Sequence, residues 1–164
     1  MTEFFTTLDD YDRKILRLLT KDGRMSITKL SEEISLSANA TSERLRRLQR
    51  DGIITGFHAR ISPQAMGQKL TCFVEVKLDR VAEDVFDAFA KAAKASDEIE
   101  ECYLTAGGFD YLLKTRHRDM DDFRRFLTRT LLRLPGIRET HTFTVMEAIK
   151  EGAGSNVGPS FSAH

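Results

Sequence analysis

The chain has no net charge: 25 Lys and Arg stand against 25 Asp and Glu in 164 residues. Whole-chain electrostatics therefore give no argument for nucleic acid, and any basic surface must be local. Cysteine is scarce. Cys72 and Cys102 each sit in an apolar, strand-like run, where a reduced, buried small hydrophobe is expected in preference to a disulfide or metal ligand. No apolar run approaches the length that spans a bilayer. The opening MTEFFTTLDDYDR lacks a basic segment followed by a long apolar stretch, so a cytoplasmic location is the expectation. Nucleophile elbow, P-loop, zinc spacing and paired acid motifs are also missing. His58, His117, His141 and His164 are scattered. No catalytic residue, metal or cofactor is expected, and an acylphosphatase-like hydrolase has no support. Hydrophobic residues at 41% and charged residues at 30% are ordinary for a globular chain.

The pattern divides near residue 60. In LDDYDRKILRLLTKDGR the apolar Leu8, Tyr11, Ile15, Leu18 and Leu19 recur at three- and four-residue steps, which predicts a helix. Asp9, Asp10 and Asp12 favour its first turn, and Gly23 suits its end. SITKLSEEIS reads as a shorter helix with Ser26 as N-cap and Ile27, Leu30 and Ile34 inward. LSANATSERLRRLQRDG follows, a third helix over residues 38–51 ended by Asp51-Gly52. IITGFHARI alternates and predicts a strand.

Beyond Pro63 and Gly67 a second unit begins. LTCFVEVKL predicts a strand, VAEDVFDAFAKAAKAS an amphipathic helix with Val81, Val85, Phe86, Phe89, Ala92 and Ala93 on one side, and IEECYLTAGGFDYLLKTRH two strands around a tight turn at Gly107-Gly108. Met120 to Leu134 predicts a helix with Met120, Phe123, Phe126, Leu127, Leu131 and Leu134 inward, broken by Pro135-Gly136, and IRETHTFTVMEAI a last strand. The order is β-α-β-β-α-β with both helices on one face of the sheet. The tail from residue 151, rich in Gly and Ser, is expected to be disordered. Two small domains and a tail are expected: 1–60 helix-turn-helix with a β linker, 61–150 βαββαβ, and 151–164 tail.

Two helices joined by Ser-Leu-Ser, the second entering a charged run, form a helix-turn-helix arrangement. On a helical wheel Thr41, Leu45 and Leu48 share the core side, while Asn39, Glu43, Arg46 and Arg50 lie opposite, with Ser42 beside them and Arg44 and Arg47 on the flanks. Residues 36–60 carry five arginines against two acids, a local excess that a merely solvated face does not explain. Ser37, Asn39, Ala40, Thr41 and Ser42 at the entrance, with Arg44, Arg46, Arg47 and Arg50 behind, are the candidate DNA-binding residues.

LDDYDRKILRLLTKDGR, LSEEISLS…ERLRRLQRDGII, GGFDYLLKT and TLLRLPGI together resemble the Lrp/AsnC (feast/famine) transcriptional regulators, over roughly residues 8–150. The resemblance implies an α+β protein: an N-terminal winged-type helix-turn-helix domain, then a ferredoxin-like (RAM/ACT-like) βαββαβ domain for dimerisation and amino-acid binding. It implies double-stranded DNA as a partner, a homodimer rising to an octamer, and a small amino acid effector such as leucine, another branched-chain residue or proline. The matching effector positions are Gly107, Gly108, Asp110, Met120, Phe143, Thr144 and Val145. An ammonium wants a carboxylate, a carboxylate wants backbone N–H groups, and a side chain wants an apolar pocket. The chain departs from the family at Ser35, where the second helix is commonly followed by Gly, and at Ser37-Ala38-Asn39-Ala40-Thr41, which differs from the common entrance and leaves the operator open. The alternative is an amino-acid-sensing or architectural DNA-binding protein of little sequence specificity. An RNA-recognition module, which shares the βαββαβ order, is disfavoured: Gly107 stands where a basic residue is expected, and Asp110 would repel phosphate.

Overall fold

A computed structural model describes residues 8–79 and 84–151. The chain divides into two compact units between residues 60 and 61.

The first unit holds α1 (Asp10–Lys21), α2 (Ile27–Ile34) and α3 (Ala38–Arg50). Each has a side-chain N-cap. Asp9 accepts from the Asp12 N–H, and Asp12 in turn accepts from the Asp9 N–H, a reciprocal capping box. Ser26 caps α2 and Ser37 caps α3, so the first-turn amides that no helix can satisfy internally find acceptors. The turn between α2 and α3 is Ser35-Leu36-Ser37. Ser35 takes φ 57° and ψ 47°, the one left-handed non-glycine among the described residues, at a cost of about 1 kcal/mol. Ile15, Leu16, Leu30, Ile34 and Leu48 form the core, closed by Leu8, Leu36, Leu45 and Ile53 among others.

The second unit holds β1 (Leu70–Leu78), α4 (Val85–Lys94), β2 (Ile99–Leu104), β3 (Tyr111–His117), α5 (Met120–Arg129) and β4 (Ile137–Thr144). The strands form one antiparallel sheet in the order β2-β3-β1-β4. Alternation decides its faces. Cys72, Val74, Val76, Leu78, Tyr111 and Leu113 pack against Val85, Phe89, Phe123 and Phe126 of the two helices, while Phe73, Glu75, Leu112 and Lys114 point to the other face.

Five expectations are corrected. IITGFHARI forms no strand: no described segment pairs with it, and the N–H groups of Ile53 and Ile54 instead donate to Leu48 O at the end of α3. Its apolar alternation leaves Phe57 and Ile61 exposed. Asp22, not Gly23, caps α1, and Gly23 keeps an ordinary φ. The last helix stops at Arg129, and Leu131–Arg133 tightens into a 3-10 turn. Met120, at its exposed N-terminal turn, is not inward. Cys102, on edge strand β2, is exposed, whereas Cys72 is buried. Val81 and residues 152–164 lie outside the described residues.

Candidate functional site

In α3 the placement of each side chain follows from the seating of its buried side. Thr41 is fully buried, and its Oγ1 donates to Ser37 O at 2.9 Å. It holds the helix to its cap and reaches nothing outside, so its assignment to a DNA surface is corrected. Ser37 Oγ accepts from the Ala40 N–H. Asn39 is exposed, Ala40 and Ser42 are half-buried, and Glu43, Arg46, Gln49 and Arg50 are exposed.

The four arginines fall into two pairs. Arg46 and Arg50 keep side-chain exposures of 74% and 72%, and their acidic partners among the described residues are Glu43 and Asp51. Arg44 and Arg47 turn inward to Asp12, whose carboxylate is fully buried, and Arg44 also meets Asp9 and lies over the Tyr11 ring. This network ties α3 to α1 across more than thirty residues of chain. Partial burial works against ionisation of Asp9, but the Asp12 N–H and the Arg44 guanidinium outweigh it and hold the carboxyl below its ordinary range. Wheel geometry put Arg44 and Arg47 on the flanks; it gave no sign of Asp12 as their partner. Gln49, three residues after Arg46 on the exposed side, was overlooked because the arginines dominate the pattern.

In the sheet unit, Gly107 and Gly108 do not make a two-residue hairpin. Residues 105–110 form a longer loop. It is closed by the Thr105 N–H donating to Asp110 O at 2.9 Å and by Thr105 Oγ1 donating to Phe109 O at 2.9 Å. Neither glycine has a positive φ, and a Cβ on either would meet nothing within 4 Å. Their bareness leaves space above the loop. Asp110 is buried. Its N–H donates to Val76 O, and its Oδ2 accepts the Leu78 N–H at 2.8 Å. Loop and strand end border a cavity of about 590 Å³, lined by Gly107, Gly108, Phe109 and Asp110 on one side and Lys77, Leu78, Asp79 and Arg138 on the other.

Met120, Phe143, Thr144 and Val145 are elsewhere. Phe143 and Thr144 pair with Phe73 and Cys72, the Val145 N–H donates to Thr71 O, and Met120 follows the end of β3 that pairs with Leu70. The loop lies beside Val76 and Leu78, at the opposite end of β1. At a strand rise of about 3.3 Å per residue the two groups are roughly 20 Å apart. Met120 and Phe143 are 59% and 54% exposed. One chain therefore presents a polar half-site at one end of the sheet and an apolar group at the other. Lys77, Asp79, Phe109 and Arg138 line the cavity without having been singled out in the sequence.

No described helix is long and apolar enough to cross a membrane. Residues 8–55 match a family described as winged helix-turn-helix DNA-binding, and residues 71–154 match the Lrp/AsnC ligand binding domain. The chain is 49% identical over 144 residues to the leucine-responsive regulatory protein of Escherichia coli strain K12, covering 88% of each. Its fold is similar to a transcriptional regulator from Neisseria meningitidis solved as an L-methionine complex, with TM-score 0.84, 33% identity and coverage of 88% of this chain and 94% of that one. It is also similar to a feast or famine regulatory protein from M. tuberculosis complexed with L-methionine, at TM-score 0.77 and 31% identity, covering 88% and 96%. Both halves of the architecture, the capped helix-turn-helix and the βαββαβ sheet, thus meet their counterparts in one set of relatives, and these relatives are regulators, not enzymes. The chain belongs to the Lrp/AsnC family of transcriptional regulators, with a helix-turn-helix DNA-binding domain and an amino-acid-binding domain.

Proposed function

We propose that the protein binds double-stranded DNA as a homodimer or higher oligomer, and that a small amino acid controls it from a site shared between copies of the chain. The observation that carries this reading is the division of the effector positions: Gly107, Gly108 and Asp110 border the polar cavity, while Met120, Phe143, Thr144 and Val145 gather at the far end of the sheet. A second copy docking its far end onto the loop supplies the apolar wall that the cavity lacks. The relatives solved with L-methionine make methionine a candidate here, beside leucine, another branched-chain amino acid or proline.

The open face of the sheet carries Phe73 and Leu112, which supports dimerisation sheet to sheet. The loop and far-end contacts then join dimers, up to the octamer that the family resemblance suggests. On α3, Asn39, Ala40 and Ser42 approach base edges, and Arg46, Gln49 and Arg50 reach phosphates or a guanine edge. Ser37 sets the helix start, and Arg44 and Arg47 hold the helix in position through Asp12. Effector binding favours one assembly and so shifts DNA affinity, a coupling that is reciprocal. On this reading the protein works in the cytoplasm, beside the DNA it regulates. Sedimentation with and without L-methionine, L-leucine and L-proline, alongside a gel shift in each condition, tests it. At least one of the three should change both assembly and DNA affinity; no change in either with any amino acid contradicts the reading.

A further inference from the structure

The pairing of β1 with β4 slips at one place. Lys77 pairs with Glu139, yet the next residue, Leu78, pairs with Ile137. Arg138 is the extra residue, a β-bulge on an edge strand. Regular alternation would set residue 138 opposite Leu78, on the face packed under the helices. A bulge re-aims the side chain it carries, and Arg138 is exposed and lines the cavity beside Gly107 and Gly108.

Its guanidinium is held by no hydrogen bond or ion pair among the described residues, although its charge, behind the Lys77 hydrogen bond, helps to hold the Glu139 carboxyl below its ordinary range. Lys77 Nζ donates to Glu139 Oε2 at 3.1 Å, so that pair is closed. Asp79 also lines the cavity. Its N–H donates to Gly136 O at 2.8 Å, and its carboxylate has no partner among the described residues. Asp110, by contrast, is buried and gives Oδ2 to the Leu78 N–H, which secures β1 at the same step where the bulge falls. The backbone N–H groups of Gly107 and Gly108 have no acceptor within the described chain. Among the described residues, one cavity thus presents a guanidinium and a carboxylate without hydrogen-bonding partners on its strand side, and two glycine amides without acceptors on its loop side.

We infer that Arg138 is the anchor for the effector's α-carboxylate, assisted by the Gly107 and Gly108 amides, and that Asp79 rather than Asp110 receives the α-ammonium. Guanidinium and carboxylate match as a two-pronged, charge-assisted pair. This assignment rests on the amino-acid reading of the loop cavity and specifies which side chains recognise the zwitterion.

Calorimetric titration of the full chain tests it, using L-methionine, L-methioninamide, which has no carboxylate, and the 2-hydroxy acid of the same side chain, which has no ammonium. Wild type should bind methionine at least tenfold more tightly than the amide. Arg138→Ala should weaken methionine tenfold or more and bring the ratio near one, and Arg138→Lys should restore part of the preference. Asp79→Asn should erase the preference for methionine over the hydroxy acid. A wild-type ratio of one, or a ratio unchanged in Arg138→Ala, overturns the carboxylate assignment while the effector reading stands. An unchanged preference in Asp79→Asn overturns the ammonium assignment. If wild type binds neither methionine nor, in parallel titrations, leucine, isoleucine, valine or proline, the effector reading fails and this assignment fails with it.

Discussion

Asp12 is a carboxylate with no exposed surface, held by the Asp9 N–H and by the guanidinium groups of Arg44 and Arg47. Removing one partner of a buried ion pair typically costs about 3–5 kcal/mol. Here Arg44 and Arg47 keep side-chain exposures of 26% and 35% and can be rehydrated, so Asp12→Ala should destabilise the first unit by roughly 2–3 kcal/mol, read from urea unfolding. The same logic separates the arginines. Arg44→Ala and Arg47→Ala should lower the unfolding midpoint, whereas Arg46→Ala and Arg50→Ala should leave it in place and weaken DNA binding with a shallower salt dependence. A uniform effect of all four on stability would contradict the division. At Ser35 the strain is local and removable: Ser35→Gly should raise stability by roughly 1 kcal/mol, because glycine takes a left-handed φ without a Cβ clash. An unchanged or lowered midpoint would count against it.

At the scale of elements, β3 ends in a histidine whose burial disfavours its charged form. His117 is buried against Phe123 and Phe126, within 2.9 Å of Thr115 Oγ1. Burial pushes its pKa below the ordinary value, against the opposing pull of Asp122, Glu98 and Glu100. The native state therefore binds this proton less readily than the unfolded chain, and stability rises with pH across that window. The contribution is complete above an unfolded pKa of about 6.5 and is lost as pH falls from there through the folded value. Thermal melts should show a falling midpoint on acidification that His117→Gln reduces; an identical pH slope in the variant would contradict it. Gly136 supports the neighbouring bulge with φ +73°, and a Cβ there would lie 2.0 Å from Val85 Cγ2. Gly136→Ala should destabilise by roughly 1–3 kcal/mol, seen as a lowered denaturation midpoint.

The elements themselves were largely legible in the sequence, because periodicity is a local signal. β1 runs from Leu70 to Leu78 as its alternation predicts, and α3 runs from Ala38 to Arg50 behind a serine cap. What stayed hidden depends on partners distant in sequence. Asp12 reads as one more acid in a first turn until α3 is folded against it. IITGFHARI has the alternation of a strand, but a strand also needs another to bond with. Arg138 sits in the regular-looking run Ile-Arg-Glu-Thr, and only the pairing with β1 shows it to be the extra residue. Likewise, Gly107-Gly108 suggests a tight hairpin, while the six-residue loop is fixed by Thr105 and Asp110.

At the scale of the whole molecule, the central claim is that neither end of one sheet makes an effector site alone. Complementation of two variants tests it most directly. Gly108→Leu fills the open loop, where a Cβ meets nothing, and Met120→Asp places a charge at an exposed helix start. Each variant alone should lose amino-acid binding, measured calorimetrically with L-methionine. Co-assembled one to one, the intact loop of one chain should meet the intact far end of the other, restoring roughly a quarter of the sites when copies mix at random. No recovery in the mixed assembly, with both variants folded and assembling as wild type, would contradict a site shared between chains.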